Sequence, residues 1–157
     1  MKTMQAVCRR ATKDDIEALF HLIEGYAKQL IMLPRSREML MEQLEHFVVA
    51  ELDHQLIGCG SLCHLGPELV EIRSLGISPE YKGMGIGSLL MDELTAMARE
   101  RKVPRLMALT YAVGFFEKQG YHVVEKEIFP EKVWKDCMYC SKRHACDEIA
   151  VLKVLDY

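Results

Sequence analysis

The sequence predicts one α/β domain with a mixed, largely antiparallel central sheet flanked by helices. Three observations carry that prediction. The chain has 157 residues, 50% hydrophobic and 27% charged, with 10 glycines and 5 prolines. This is the composition of one folded domain over residues 1–157, not of a disordered, collagenous or coiled-coil chain. Its apolar residues recur at two periods, one helical and one extended. The order of the resulting segments is a strand, two helices, a run of antiparallel strands, and then a strand, glycine loop, helix and strand in succession.

Residues 5 to 10 read as a first strand, and Thr12-Lys13-Asp14-Asp15 supplies a hydroxyl cap with a carboxylate three residues on. Ile16, Leu19, Phe20 and Ile23 then fall at i, i+3, i+4 and i+7, which makes a helix with one apolar stripe. Pro34 interrupts the pattern, and Ser36 caps a second helix reaching Leu44. Between the two helices lies a loop that carries Arg35.

Phe47–Ala50 and Leu56–Leu62 are apolar runs joined by Asp53-His54, the pattern of an antiparallel hairpin, and Leu69–Ile77 adds a third strand. A helix is expected over Leu89–Arg101, with Leu90, Leu94 and Met97 on one face, and a strand over Arg105–Thr110. Gly114–Gln119 reads as a short helix closed by Gly120. Strands are expected at Tyr121–Ile128 and Ile149–Leu155.

Twenty Lys and Arg against 23 Asp and Glu leave a formal charge of −3. That balance supplies no global basic field for nucleic acid or a membrane surface. The first residues hold no apolar signal region, and no uncharged apolar run approaches the roughly 18 residues of a membrane span. A cytoplasmic protein with reduced cysteines is the expectation.

The most informative segment is Ser78-Pro79-Glu80-Tyr81-Lys82-Gly83-Met84-Gly85-Ile86-Gly87-Ser88. Glycines let backbone approach a ligand closely, and the amides of a helix's first turn point at whatever sits there. Together with the helix dipole they suit a phosphate or pyrophosphate. Ser88 stands where a Rossmann fingerprint needs its third glycine, and no Gly-Lys-Ser/Thr follows as in a P-loop.

This loop resembles the acetyl-CoA loop of the GCN5-related N-acetyltransferase (GNAT) superfamily, Arg/Gln-x-x-Gly-x-Gly/Ala. Lys82 takes the place of the Arg or Gln, with Gly85 and Gly87 in register. Phe115-Phe116-Glu117-Lys118-Gln119-Gly120-Tyr121 is similar to the family's second signature, a short helix ending in glycine and then an aromatic. The resemblance implies the GNAT fold and acetyl-CoA as cosubstrate. Leu75, Ile77, Lys82, Gly83, Gly85, Ile86, Gly87, Ser88 and Phe116 are the residues it implies for the cosubstrate.

Leu33-Pro34-Arg35-Ser36, Glu71-Ile72-Arg73-Ser74-Leu75, Ala108-Leu109-Thr110-Tyr111 and Val133-Trp134-Lys135-Asp136-Cys137 narrow the match. They resemble the short, single-domain N-acetylglutamate synthases that begin arginine biosynthesis. The implied reaction is acetyl transfer to the α-amine of L-glutamate. Acetylation of another small amine or a protein N-terminus, or a non-catalytic acetyl-CoA-binding module, are the alternatives. Exposed apolar strands in such domains are often covered by a second subunit, so a homodimer is an open expectation.

Acetyl transfer to an amine needs a neutral nucleophile, a cradle for the oxyanion and a proton for the departing thiolate. Glu71, mid-strand among apolar neighbours and on one face with Arg73 and Leu75, is the candidate base. An ion pair with Arg73 is its alternative role. Many GNAT relatives carry an acidic tyrosine where Phe116 stands, so the resemblance shifts the acid to Thr110, with Tyr111 second and no side-chain acid as a third option. A dicarboxylic acceptor calls for guanidinium groups. Arg35 matches an arginine of the related synthases, and Arg73 and Lys135 are further candidates.

Cys137, Cys140, His144 and Cys146 place three thiols and an imidazole within ten residues. This set suffices for one tetrahedral zinc. Buried thiols, a redox pair, or a loop whose basic residues face the acceptor remain alternatives.

Overall fold

The computed structural model describes residues 6–28, 35–128 and 148–155. The chain forms two compact units, Met1–Leu62 with Arg73–Ala98, and Cys63–Ile72 with Arg99–Tyr157. Among the described residues seven strands, β1 (Val7–Arg10), β2 (Phe47–Leu52), β3 (Gln55–His64), β4 (Leu69–Ile77), β5 (Arg105–Thr110), β6 (His122–Val124) and β7 (Ile149–Val154), run in the order β1-β2-β3-β4-β5-β7-β6. Strands β3 and β4 each contribute residues to both units.

In the first unit, β1 (Val7–Arg10) lies antiparallel to β2 (Phe47–Leu52), which lies antiparallel to β3 (Gln55–His64). The hairpin turn between β2 and β3 is the expected Asp53-His54, and both residues adopt positive φ, 50° and 64°. Helices α1 (Ile16–Lys28) and α2 (Arg37–Glu42) follow β1. Ser36 caps α2 as its sequence position implies, its hydroxyl accepting from the Met39 amide at 3.2 Å. Leu19, Ile23 and Leu40 join Phe47, Val49 and Cys59 in one fully buried cluster.

Strand β4 (Leu69–Ile77) leads through a single turn, Pro79–Tyr81, to α3 (Ile86–Glu100). The helix starts at Ile86, three residues before its expected start. Gly85 is the last left-handed residue, and its carbonyl accepts the Leu89 amide at 3.3 Å to close the first turn. Gly87 and Ser88 therefore belong to the helix. Leu90, Leu94 and Met97 form its buried face as expected.

In the second unit, β5 (Arg105–Thr110) is parallel to the start of β4 and antiparallel to β7 (Ile149–Val154). Helix α4 (Val113–Lys118) follows β5, and Gly120 closes it with φ 93°. Strand β6 spans only His122–Val124, against the expected Tyr121–Ile128. Its pairing with β7 ends at Val124, and the charged run Glu125-Lys126-Glu127 turns into a short 3-10 helix at Lys126–Ile128. Leu69, Met107, Ala150 and Leu152 make the buried cluster of this unit. No helix among the described residues is long and apolar enough to cross a membrane.

The entry to α1 is fixed by charge. Asp15 accepts from both terminal nitrogens of Arg9 at 2.8 and 2.9 Å and from the Thr12 amide at 2.7 Å. Glu51 on β2 takes the same guanidinium at 3.2 Å. Burial alone would raise the Asp15 carboxyl, but Arg9 and Thr12 outweigh it and hold the group below its ordinary value. A carboxyl whose folded-state value lies below the unfolded one stabilises fully above roughly pH 5 and loses that contribution as the pH falls through the carboxylate range. Thermal unfolding between about pH 6 and pH 3 is accordingly expected to show a steeper loss of Tm for the native chain than for Asp15→Asn. Parallel slopes would remove this pair from the acid response.

Candidate active site

In the first unit the end of β4 departs from a regular strand. Ser74 has φ 53°, in the left-handed region that a non-glycine residue rarely occupies. The two carbonyls around this kink are held by side chains of β3. Ser61 Oγ donates to Arg73 O at 3.0 Å, and Cys59 Sγ donates to Ser74 O at 3.1 Å. Burial pushes the Cys59 thiol up to about 12, against a smaller opposing effect of the Gly76 backbone, so it stays a protonated donor. The kink interrupts the pleat, and faces can no longer be counted by twos from Glu71 to Leu75. Nothing in Val-Glu-Ile-Arg-Ser-Leu marks this position, since no glycine stands there.

Beyond the kink, a Cβ at Gly58 would meet Leu90 at 3.2 Å and Ile77 at 3.5 Å, and one at Gly60 would meet Leu94 at 2.8 Å and Leu75 at 3.1 Å. Leu75 and Ile77 of β4 and Leu94 and Leu90 of α3 thus lie over Gly60 and Gly58, and both β4 residues are half-buried. Lys82, Gly83, Met84 and Gly85 are exposed, whereas Ile86 and Gly87 are buried. Gly83 and Gly85 have φ of 81° and 79°, and a Cβ at either would meet nothing within 4 Å. Glycine is needed here for the backbone angle, and the space above the loop is open. The first-turn amides of α3 have no intrahelical acceptor, so the loop and helix start fit a pyrophosphate. Arg35 and Arg73 are half-buried, Arg35 standing one residue before the α2 cap.

The second unit holds Glu71, Thr110, Tyr111 and Phe116. Glu71 is 7% exposed and lies in register with Met107 across the parallel pair. It therefore shares a face with Leu69 and Met107, the apolar cluster. Its carboxyl group is thus largely shielded from bulk water. The pairing of β4 with β5 covers Leu69–Glu71 against Arg105–Met107. Thr110 is three residues past Met107, roughly 10 Å along the strand and on the opposite face. A direct proton exchange between Glu71 and Thr110 is not built here.

Thr110 is 8% exposed and its hydroxyl accepts from the Ala112 amide at 2.8 Å, bracing the turn into α4. Tyr111 is exposed. Phe116 is buried, its ring edge-on to Phe115 and Tyr121 with centroids 5.3 and 5.2 Å away. Tyr121 is also buried, and its hydroxyl has no hydrogen-bond partner among the described residues. Burial pushes that phenol well above its ordinary value, so it stays neutral. Lys153 donates to Gln119 O at 2.9 Å and crowds the Cβ position of Gly120 at 3.3 Å. Lys135 and the cluster Cys137, Cys140, His144 and Cys146 lie outside the described residues. Among the described residues no group of His, Cys, Asp and Glu is set to hold a metal, and Cys8, Cys59 and Cys63 form no disulfide.

Residues 7–121 match the family model described as acetyltransferase (GNAT) family. Over 155 residues the chain is 42% identical to an uncharacterized N-acetyltransferase of Chlorobaculum tepidum, covering 99% of this chain and 100% of that one. It is 35% identical to an amino-acid acetyltransferase of Mycobacterium tuberculosis, over 80% of this chain and 76% of the relative. The N-acetylglutamate synthase of Neisseria gonorrhoeae, solved with coenzyme A and N-acetyl-glutamate, superposes with TM-score 0.85 at 28% identity. That match covers 99% of this chain and 36% of the synthase, so the chain spans about a third of its length.

The loop geometry carries its own test. Gly85→Ala forces an L-residue into a left-handed angle at a cost of roughly 1–2 kcal/mol, while Gly114→Ala on exposed helix α4 is free of that strain. Isothermal titration with coenzyme A is expected to show about tenfold or weaker binding for the first variant and unchanged binding for the second. Equal affinities would show that the loop's backbone angle does not matter to the ligand.

Proposed function

The chain belongs to the acetyltransferase (GNAT) family, and from that premise we propose that it transfers the acetyl group of acetyl-CoA to the α-amine of L-glutamate. It is an acetyl-CoA-dependent N-acetyltransferase. The observation that carries the glutamate reading is the fold match over nearly the whole chain to a synthase solved with N-acetyl-glutamate. Relatives named amino-acid acetyltransferase support the same acceptor class. The product would enter arginine biosynthesis.

When bound, acetyl-CoA supplies an activated thioester carbonyl. Gly83, Gly85 and the first-turn amides of α3 hold its phosphates, with the Lys82 ammonium beside them. Glu71 takes a proton from the glutamate ammonium, which frees the nitrogen lone pair for attack on the thioester carbon. Glu71 is 7% exposed, so the transfer is largely shielded from bulk water. The C–N bond forms, the C–S bond breaks, and the proton still carried by the nitrogen passes to the departing thiolate, so that the products are the neutral amide and the free thiol of coenzyme A. A thiol has an ordinary pKa near about 8.5, so this leaving group needs no side-chain acid, and Thr110 is assigned to bracing the turn. Arg35 pairs with a carboxylate of the acceptor, for which a guanidinium offers two parallel hydrogen bonds.

Thiol release from acetyl-CoA across the amino acids, polyamines and a peptide N-terminus is expected to show L-glutamate as the preferred acceptor. Glu71→Gln should lower kcat about 10²-fold with little change in acetyl-CoA KM, as the loss of a general base does. Arg35→Ala should raise the glutamate KM about tenfold or more. Preference for a polyamine or a peptide, or a glutamate KM indifferent to Arg35, would overturn the acceptor assignment.

A further inference from the structure

Tyr26 is used by no step above, yet its hydroxyl and its ring reach two parts of the cosubstrate loop. It lies on α1 seven residues after Leu19 and three after Ile23, so it continues the buried stripe of that helix. A phenylalanine would satisfy that stripe. The tyrosine instead donates its hydroxyl to the carbonyl of Ile77, the last residue of β4. The next residue is fixed as well, since the Ser78 amide donates to Ile57 O at 2.7 Å. The strand end from which the glycine loop departs is thus held from α1 on one side and from β3 on the other.

The ring contacts the far side of the same turn. Lys82 Nζ lies 5.4 Å from the Tyr26 ring centroid, within the range at which a ring face attracts an ammonium group. Lys82 is exposed and sits just before the first left-handed glycine, on a flexible four-carbon stem. Tyr26 is 8% exposed with its hydroxyl bonded, so its ring cannot swing away. The ring gives the lysine head a preferred place, and less side-chain freedom remains to be lost when an anion binds.

We propose that Tyr26 is a positioning residue for acetyl-CoA, holding the end of β4 through its hydroxyl and the Lys82 ammonium through its ring. The inference rests on the reading of the glycine loop as the cosubstrate site. It does not depend on which amine is the acceptor.

Tyr26→Phe keeps the ring and removes the hydroxyl, while Tyr26→Leu removes both. The dissociation constant of coenzyme A, measured by titration calorimetry, separates binding from turnover. Tyr26→Phe should weaken coenzyme A binding and raise the acetyl-CoA KM about fivefold, the loss of one hydrogen bond, with kcat and the acceptor KM within about twofold. Lys82→Ala should cost affinity in the native background and little further in the Tyr26→Leu background. Unchanged coenzyme A affinity in Tyr26→Phe, at an unchanged far-ultraviolet spectrum, would overturn the role of the hydroxyl. Additive losses in the double variant would overturn the coupling to Lys82. A native chain that fails to bind coenzyme A at all would instead overturn the reading of the loop.

Discussion

The constraint on which the first unit depends is the need to leave a β-strand and enter an α-helix with the helix's first amides facing open space. A helix start leaves its first amides without intrahelical acceptors whatever its sequence. Here the chain reaches that start through Gly83 and Gly85, both left-handed and both in the open. The position of α3 is set by contact. Gly58 and Gly60 on β3 leave room for Leu90 and Leu94, whose burial contributes roughly 1.5–3 kcal/mol each. Larger residues on β3 would push the helix outward and move its N-terminus with it. The loop's chemistry and the strand's small residues are one arrangement.

The second unit handles a different problem, keeping a carboxyl group of a sheet strand away from bulk water. Glu71 occupies the last position at which β4 pairs with β5, on the face of an apolar cluster. Phe116 and Tyr121 fill the interior behind α4, and the tyrosine keeps its proton there. No phenol at position 116 is available to the reaction, and a thiolate leaving group does not require one.

Much of this was legible because local chemistry dictates local backbone. Ser36 and Gly120 act as the caps that their residue types imply, and Asp53-His54 turns the hairpin. The three spaced glycines marked the loop, although the start of α3 fell three residues too late because helix propensity cannot tell a capping glycine from a helical one. What was not legible arises from contacts between distant segments. The left-handed Ser74 is held by Cys59 and Ser61, some fifteen residues earlier, and no rule of spacing foretells it. Tyr26 looked like one more apolar residue of an amphipathic helix until Ile77 appeared at its hydroxyl. Thr110 carries a functional expectation, and the structure adds that its hydroxyl accepts from the Ala112 amide, which leaves its own proton to donate.

The proposed reaction leaves the acetyl group on the α-nitrogen of glutamate. One reaction tests it most directly: the native chain with acetyl-CoA labelled in its acetyl carbon, in an equimolar mixture of amino acids, a polyamine and a short peptide, with the products resolved by mass spectrometry and carbon NMR. The label is expected to appear as an amide on the α-nitrogen of glutamate ahead of every competitor. Label on the polyamine or the peptide terminus, with glutamate unmodified, would contradict it.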